Sequence, residues 1–428
     1  MQPGDTIWLR NGTYGNGVTQ FASALTGTTS QPIVVRQYPG ERATIAGELT
    51  VNGSDAWYWG FEVANTTAPS RSSGTSGSFA GPTTYTFGIV VFGSNTKFIN
   101  LVVHDTQEGF SAWTPAQNCE IYGSLSYNNG WQGTDRGHGH GIYTQNQNGI
   151  KTISDNILFQ GFGEGIQAYG SDAAFVQNFV FDGNTIFNSG SLAVGGNDDN
   201  IIVEGGGGGP QNITLTNNYT YHTLNVGMGA SFLSGSNLTV TGNYWVGGNT
   251  TLYASSWSGG TFTNNTIYSL TGYGLIASTL HPSTWDNNSY YDGAGLFGEL
   301  NSQSIPFASW QSATGLDKNS SYTTGPKGAS VFVRPNKYEA GRANITIYNW
   351  DLTSTVSVDV SKVLTVGSSY ELRNAQDYFG VPVLSGIYSG GTLTIPMTGL
   401  TVAQPTGTVP RAPLPTGPQF GAFVLITK

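Results

Sequence analysis

The chain has few charged residues and almost no cysteine. Only 10% of its 428 residues are Asp, Glu, Lys or Arg, and the net charge is −9. This balance argues against nucleic acid as a partner and against a broadly basic groove for a polyanion. The single cysteine, Cys119, excludes an intramolecular disulfide. No apolar run reaches the length of a membrane span, so we expect no membrane partner.

Glycine and aromatic residues are abundant instead. The 61 glycines and 12% aromatic residues indicate an ordered, loop-rich β protein that is long enough for a large core and a second domain. The chain enters a strand-like run almost at once, at Thr6, without a signal-peptide pattern. We therefore expect that a leader and a cap precede it in the natural gene, and that the protein is bacterial and is secreted or held at the cell surface.

A short repeat recurs along the first 300 residues every 21 to 35 positions. Each copy begins with two apolar or small residues, two positions apart, which predicts an inward-facing pair on a short strand. The eight pairs are Ile89/Val91, Phe110/Ala112, Ile142/Thr144, Ile166/Ala168, Ile201/Val203, Met228/Ala230, Leu252/Ala254 and Leu275/Ala277.

A second strand in each copy ends in a polar step, usually Gly, Asn or Asp followed by Asn. Gly, Asn and Asp accept a left-handed backbone at least cost, so the chain turns by the same angle in every copy. The Asn that follows would stack on its own copies and bond to backbone groups left unpaired by the turn. These residues are Asn156, Asn184, Asn218, Asn243, Asn265 and Asn288.

Such a repeat predicts an all-β solenoid, the right-handed parallel β-helix, over residues 1–325. A β-propeller would give a steadier period, and a β-sandwich needs no repeat. We read residues 307–320 as a linking stretch. Beyond it, short strands with alternating apolar and polar residues predict a small antiparallel β-sandwich-like domain over residues 326–428.

The opening coil carries a family resemblance. The runs Pro3–Tyr14 and Gln31–Glu41, with the coils after them, resemble the pectin-lyase-like superfamily of right-handed β-helices, and the opening coil is most similar to the alginate lyase and chondroitinase B group. The resemblance implies a secreted protein that acts on polysaccharide. Lyases of this kind use a Lys and an Arg on the groove, and the central coils offer only Arg136 and Lys151.

Outward positions of the first strands stack into columns, and four central rungs of these columns carry unusual side chains. They combine carboxylates, a histidine, amides and aromatic rings, the mixture that a sugar-binding groove needs. The candidate catalytic residues, which precede the inward pairs, are Glu108, His140, Glu164 and Asp199. The candidate substrate-binding residues, between or after the pairs, are Tyr143, Gln167, Trp113, Gln145, Tyr169 and Glu204.

Carboxylate spacing suggests the reaction. Glu164 and Asp199 would lie on adjacent rungs, about 5 Å apart, while Glu108 and Glu164 would be about 10 Å apart. The shorter spacing suits a retaining glycosidase and a spacing of about 6.5–9.5 Å suits an inverting one. We predict Glu164 and Asp199 as the leading acid and base or nucleophile, with His140 and Glu108 in support.

The segment Asp135–His140 supplies further candidates. Asp135, Arg136 and His138 are predicted to contact substrate, because long insertions at 64–86, 128–139 and 188–198 would wall one side of the groove. Two histidines at i and i+2 could also bind a metal with Asp135, and Asp198, Asp199 and Glu204 could bind calcium. We expect no cofactor, with calcium as the one alternative.

Three functions remain open from the sequence. A glycoside hydrolase acting on a polysaccharide or oligosaccharide is favoured. A polysaccharide lyase or epimerase, with His140 or Tyr143 as base and Arg136 neutralising a uronate, is the second. A non-catalytic glycan-binding protein or surface adhesin is the third.

Overall fold

The computed structural model describes residues 1–67, 70–78, 81, 85–195, 199–222 and 228–428, except for the side chains of Met228 and Leu233. The chain divides into two compact units. The first contains Met1–Gly325 and Pro405–Ala412, and the second contains Pro326–Gln404 and Pro413–Lys428. No helix among the described residues is long and apolar enough to cross a membrane.

Three parallel sheets form the first unit, and each coil of the chain contributes one short strand to each sheet. The first sheet contains the later halves of Gly12–Ser23 and Ala43–Val51, then Ile89–Val91, Phe110–Ala112, Ile142–Thr144, Ile166–Ala168, Ile201–Val203, Met228–Leu233, Thr250–Ser258, Tyr273–His281 and Gly298–Leu300. Gln303–Ile305 pairs antiparallel with its last strand.

The second and third sheets follow the first around each coil. The second sheet contains Thr6–Leu9, Ile33–Gln37, Ala56–Trp59, Lys97–Ile99, Glu120–Tyr122, Lys151–Ser154, Gln177–Asp182, Gln211–Thr216, Ser236–Thr241, Thr261–Thr263 and Thr284–Asp286. The third sheet contains the early halves of Gly12–Ser23 and Ala43–Val51, then Glu62–Ala64, Val102–His104, Leu125–Tyr127, Ile157–Phe159, Thr185–Phe187, Tyr219–Tyr221, Tyr244–Gly247, Thr266–Ser269, Ser289–Asp292 and Ser321–Thr323.

The turn between the second and third sheets is built as the repeat predicts. The residue before each stacked Asn has a positive φ of 52–70°. Within the stack, the Nδ2 of each Asn donates to the Oδ1 of the next copy at 2.9–3.2 Å and also to a backbone carbonyl of the rung before it. The amide column satisfies backbone groups that would otherwise be buried without partners.

The last coil ends differently from the expectation. Residues 307–320 are not a linker, because the helix Phe307–Thr314 places Trp310 in the solenoid core with no exposed surface. Asp317 then ends the amide column: its carboxylate accepts from the Nδ2 of Asn288, the hydroxyl of Tyr290 and the indole of Trp310. The helix therefore covers the apolar end of the last coil.

One predicted inward pair is wrong. The strand register aligns Ala230 and Phe232, rather than Met228 and Ala230, with Ile201 and Val203. Phe232 fills the core position, and Met228 shifts to the column that continues to Thr250. The sequence rule failed because either residue two positions from Ala230 is apolar.

The second unit is antiparallel. A five-stranded sheet has the order Ala329–Pro335, Arg342–Asn349, Phe420–Thr427, Ser369–Asn374, Leu384–Ile387. A two-stranded sheet pairs Thr355–Asp359 with Thr392–Pro396, and the 3-10 turn Ala375–Asp377 follows the fourth strand. One core includes residues of both sheets, among them Ile345 and Val358. The predicted right-handed parallel β-helix with a small C-terminal antiparallel domain is confirmed.

Candidate active site

Backbone pairing stacks the four candidate catalytic residues in one column of the first sheet. The backbone carbonyls of His140, Glu164 and Asp199 accept hydrogen bonds from the N–H groups of the glycines that follow Glu108, His140 and Glu164. Neighbouring strands of a sheet lie about 4.8 Å apart. His140 therefore lies one rung from Glu108 on one side and one rung from Glu164 on the other.

The glycines after Glu108, His140 and Glu164 have a packing reason. A Cβ on Gly109 would lie 2.2 Å from the Oγ of Ser126, and a Cβ on Gly165 would lie 2.2 Å from the side chain of Ile186. At Gly109 and Gly165 the first sheet thus approaches the third sheet too closely for any other residue, and at Gly141 the carbonyl of Gly165 on the next rung leaves no room for a side chain. A glycine directly after each of these column residues therefore marks a rung where the backbone of the first sheet packs closely against its neighbours.

Glu108 is a buried acid whose carboxyl group keeps one oxygen unsatisfied. Its side chain is buried, and no described residue forms a hydrogen bond with its Oε1 atom. Burial raises the pKa of Glu108 to about 7; the positive charge of His140 lowers it, and the negative charge of Glu164 raises it. A carboxyl group with this pKa can hold or release a proton near neutral pH.

His140 and Glu164 form an ion pair, with Nδ1 and Oε2 2.6 Å apart but without regular hydrogen-bond geometry. Burial by itself lowers the pKa of His140, but the charges of Glu108 and Glu164 outweigh it and raise the pKa to about 9. Burial by itself raises the pKa of Glu164, but the imidazolium of His140 holds it below the usual range. The column therefore places a protonatable acid and an ionised carboxylate on either side of a cation.

A cavity of about 400 Å³ opens over this column. A cavity of this volume can hold a small ligand or a few sugar units. Its described lining residues are Ser78, Phe87, Glu108, Ser111, Trp113, Trp131, Arg136, His138, Gly139, His140, Tyr143, Gln145, Gln167, Tyr169 and Ser171.

The aromatic residues of the cavity are braced by their neighbours. Trp113 and Tyr143 meet edge to face at 5.4 Å between ring centroids, and His140 stacks on Tyr143 at 5.7 Å. Tyr169 remains 38% exposed. Rings held in this way can take the apolar face of a sugar.

A two-stranded hairpin forms one wall of the cavity. Trp131–Gln132 pairs antiparallel with Gly137–His138, and Trp131 stacks on His138 at 5.2 Å. The Nε2 of His138 contacts Oδ1 of the exposed Asp135 at 2.9 Å, and His138 is the main reason that the pKa of Asp135 falls to about 2. Arg136 lines the cavity and has no carboxylate partner among the described residues.

Not every predicted site residue reaches the cavity. Glu164 has 11% of its side chain exposed and contacts the cavity through His140. Asp199 is buried on the next rung and does not line the cavity. Glu204 lies outside it, where its Oε1 accepts from the Oγ of Ser231 at 2.8 Å and burial raises its pKa. Asp135 does not line the cavity, and it contacts the cavity wall through His138.

Lys151, one of the two basic residues considered for a lyase, lies outside the groove. Its buried Nζ donates to the backbone carbonyls of Ala112, Trp113 and Gln145 at 2.7–3.0 Å. Burial lowers its pKa to about 8. Lys151 therefore supports the cavity floor from beneath instead of contacting a ligand.

Neither metal hypothesis gains a site among the described residues. No group of three or more His, Cys, Asp or Glu side chains in that part of the chain is arranged to hold an ion. His138 pairs with Asp135 and His140 with Glu164, so the two histidines serve different partners. Asp198, one of the three proposed calcium ligands, lies outside the described residues.

The sequence analysis missed five side chains of the cavity, namely Ser78, Phe87, Ser111, Trp131 and Ser171. Phe87 had a usable signal, because it precedes the pair Ile89/Val91 by the same two positions as Glu108 precedes Phe110. Ser111 stands between Phe110 and Ala112 and was likewise within reach of the column rule. The others come from insertions whose path the repeat does not specify.

No protein-family model matches the chain, and no curated protein matches it. Among solved structures, it is similar to pectate lyase Pel9A, at 16% identity over 72% of this chain and 71% of that one, with a TM-score of 0.41. It is also similar to the GH136 lacto-N-biosidase of Eubacterium ramulus, at 12% identity over 76% and 62%, with a TM-score of 0.38. The surface protein and adhesin PfbA of Streptococcus pneumoniae matches at 8% identity over 75% and 92%, with a TM-score of 0.43.

Similarity this remote carries no argument about activity. The predicted parallel β-helix is confirmed by the strand register of the three sheets.

Proposed function

We propose that this protein is a carbohydrate-active enzyme, and specifically a glycoside hydrolase, that cleaves a glycan bound in the cavity over the first sheet. The observation that carries the proposal is the buried carboxyl group of Glu108, which borders the cavity with an unpartnered Oε1 and a pKa raised to about 7. Buried carboxyl groups of this kind serve as general acids in glycosidases.

Glu164 is the second carboxylate. His140 keeps it ionised, as a general base must be before the reaction. Two rungs separate Glu108 and Glu164, which places their backbones about 10 Å apart. That spacing is closer to the 6.5–9.5 Å between carboxyl groups of inverting enzymes than to the 5–5.5 Å of retaining ones. This assignment replaces the pair Glu164 and Asp199. Neither carboxylate lines the cavity, but Glu164 contacts His140, which does.

The proposed reaction is a single displacement. Glu108 donates its proton to the glycosidic oxygen while the bond from that oxygen to the anomeric carbon breaks. Glu164, which faces His140 in the resting site, turns toward the cavity and takes a proton from the water that attacks the anomeric carbon from the opposite face. Trp113, Tyr143 and Tyr169 supply ring faces for the sugars, and Gln145 and Gln167 supply amide groups for their hydroxyls.

A polysaccharide lyase is the second candidate. Arg136 lines the cavity without a counter-ion beside the cationic His140, and two cations suit the carboxylate of a uronate. Against it, burial raises the pKa of Tyr143 and the neighbouring carboxylates raise that of His140, so both proposed bases hold their protons at neutral pH. Lyase activity would therefore increase with pH, whereas hydrolysis would decrease as Glu108 loses its proton.

A polysaccharide screen separates these functions. Neutral and acidic polysaccharides are incubated with the wild type, with Glu108→Gln and with Glu299→Gln, and both reducing ends and ultraviolet absorbance are measured. Glu299 is the matched control, because it lies on the same sheet far from the cavity, opposite Ile276. We expect reducing ends without absorbance, and a loss of about 10²- to 10⁴-fold in Glu108→Gln alone.

Three other outcomes would contradict the proposal. An absorbing product would move the assignment to the lyase. Activity of Glu108→Gln equal to that of the wild type would mean that Glu108 is not the general acid. Binding without cleavage of any polysaccharide would favour a binding protein.

A further inference from the structure

A second surface, on the second sheet of the first three coils, alternates rings with a cation. The strand register places Trp8, Arg36 and Trp59 opposite one another in one outward-facing column. We call these three residues the Trp–Arg column. Trp57 lies on the third of these rungs, and Tyr38 lies beside Trp8.

Arg36 is held between the two indoles. Its guanidinium carbon lies 5.2 Å from the ring centroid of Trp8 and 4.2 Å from that of Trp59. Its buried Nε has no hydrogen-bond acceptor, and no ion pair involves Arg36 in the described chain. The cation is thus positioned by stacking on the two indoles, and its Nη groups, rather than the buried Nε, can donate to a ligand.

Neighbouring cations are already neutralised. Arg10 makes a bidentate pair with Glu41, at 2.6 Å for the shortest contact, and Lys97 pairs with Glu120 at 3.2 Å. Arg36 therefore supplies one uncompensated positive charge among several aromatic rings. A ligand that offers carboxylates together with the apolar faces of its sugars fits this combination of one cation and several rings.

The rings are available to solvent. Trp8 is 44% exposed and Tyr38 is 43% exposed, and they meet edge to face at 5.6 Å between centroids. Trp57 and Trp59 are half-buried. Trp8 and Trp59 lie two rungs apart, about 10 Å, so the column presents ring, cation and ring in steps of one rung.

We propose that the Trp–Arg column is a second glycan-binding site, which takes an acidic polysaccharide with sugar faces on the exposed rings and a carboxylate on Arg36. It shares only the general class of ligand with the proposed function and uses none of the cavity residues. Such a site would hold the protein on its polymer whether or not the cavity is occupied.

Affinity electrophoresis of the full chain tests the proposal in gels that contain polygalacturonate, alginate or uncharged methyl-esterified galacturonan. Cavity binding is first removed with the double variant Trp113→Ala/Tyr169→Ala. We expect this variant to be retarded still in at least one acidic gel. Adding Arg36→Met should weaken the remaining affinity about tenfold, which corresponds to the loss of one charge-assisted contact.

Arg10→Met, in the same double-variant background, is the matched control. It removes an equal charge from a neighbouring arginine that also lies over a ring, that of Tyr38 at 4.5 Å, but whose carboxylate partner already neutralises it. We expect retardation like that of the double variant. Because the assay measures migration, absence of catalytic activity would contradict the proposed function without affecting this proposal.

Four outcomes would overturn the second site. The double variant could migrate freely in both acidic gels, or Arg36→Met could leave its retardation unchanged. The uncharged galacturonan could retard it as strongly as the acidic polymers do. A single-stranded oligo(dT) could bind as tightly, with the same dependence on Arg36, which would make the column a nucleic-acid surface.

Discussion

Two clusters in this solenoid contain the same chemical groups but differ in how those groups are satisfied. On the first sheet, His140 lies between Glu108 and Glu164. On the third sheet, His104 contacts Glu62 through Nε2 and Asp105 through Nδ1, both at 2.7 Å. The neighbouring carboxylates raise the pKa of each histidine to about 9 against the effect of burial.

All four carboxylate oxygens of the His104 cluster have partners. Glu62 accepts both donors of a bidentate Arg42 and the hydroxyl of Thr44. Asp105 accepts from the fully buried Arg71 and from the backbone N–H of Thr406.

The His140 cluster is different because Glu108 has an unpartnered oxygen and borders a cavity. A satisfied buried cluster stabilises the fold, whereas an unsatisfied one is available for chemistry.

The largest expected effect is a difference in the free energy of unfolding between variants of the two clusters. Glu62→Gln should lower the free energy of unfolding by about 3 kcal/mol, which corresponds to the lowering of the pKa of Glu62 from 4.5 to about 2. The loss stays at this size because Arg42 is half-exposed and His104 keeps its contact with Asp105.

Glu108→Gln should cause a smaller loss, since one oxygen of this buried carboxyl group has no hydrogen-bond partner and His140 keeps its contact with Glu164. Chemical denaturation of both variants measures the difference, and equal losses would contradict the division into a structural and a chemical cluster.

Measurements of activity should respond to the other cluster: a change at His140 should alter the pH dependence of hydrolysis, and a change at His104 should not. Hydrolysis by the wild type should decline as pH rises through about 7, where Glu108 loses its proton. His140→Gln removes a cation that lowers the pKa of Glu108, so the midpoint of this decline should move upward by about one pH unit.

His104→Gln is the control for this shift and should leave the midpoint in place. Initial rates across pH 5–10 at a temperature where both variants are folded provide the measurement. If the midpoint is the same in His140→Gln as in the wild type, Glu108 is not the acid whose titration sets the pH dependence of hydrolysis.

The pH dependence of stability gives a third comparison. The pKa of Glu62 is lowered from 4.5 to about 2, because His104, Arg42 and Thr44 outweigh burial, so its stabilisation is present above pH 4.5 and is lost as pH falls toward 2. The pKa of Glu108 is raised to about 7, so its contribution is present below pH 4.5 and is lost as pH rises through 7.

Thermal unfolding from pH 2 to pH 8 should show both slopes. Glu108→Gln should flatten only the part between pH 4.5 and 7. A profile in which Glu108→Gln instead alters the slope below pH 4 would contradict the assignment.

The smallest expected effect concerns a buried cation that is fully satisfied yet serves the cavity. Lys151→Met removes one donor from three carbonyls, of which that of Ala112 keeps the donors of Thr144 and Gln145. We expect a loss of about 1–3 kcal/mol in unfolding free energy and a KM several times higher, because Trp113 and Gln145 lose their common support.

Lys97→Met, which breaks a half-exposed ion pair with Glu120, should cost less than about 1 kcal/mol and leave KM unchanged. A Lys151→Met variant with unchanged KM would make its role purely structural.

Much of the solenoid could be predicted because its rules are local. The stacked Asn residues and the left-handed residue before each of them follow from turn chemistry, and the structure places Asn184, Asn218 and their copies in the expected column. The prediction failed at Met228, where two apolar choices lay two residues apart, and at residues 307–320, where a helix takes the place of a linker. At both places the deciding information was which side chain filled the core.

The arrangement of the candidate site could be predicted in outline, whereas the roles of its residues stay predictions. Column spacing put Glu108, His140 and Glu164 on successive rungs, and this depends on alternation along a strand. It could not reveal that Asp199 is buried away from the cavity or that Lys151 bonds to the carbonyls beneath it. Cation–ring pairs such as Arg36 with Trp8 could not be predicted either, because residues that meet on neighbouring rungs are far apart in the sequence.

The sequence by itself determined the coil, since periodic apolar pairs and repeated left-handed turns allow few other ways to bury the chain. Only the tertiary structure decided which of two similar His–carboxylate clusters is satisfied and which faces a cavity. The reason is physical: burial, the pKa values of Glu62 and Glu108, and the presence of a hydrogen-bond partner all depend on groups that distant coils and insertions bring together. Residue type sets what a side chain can do, and its surroundings decide which protonation state it holds.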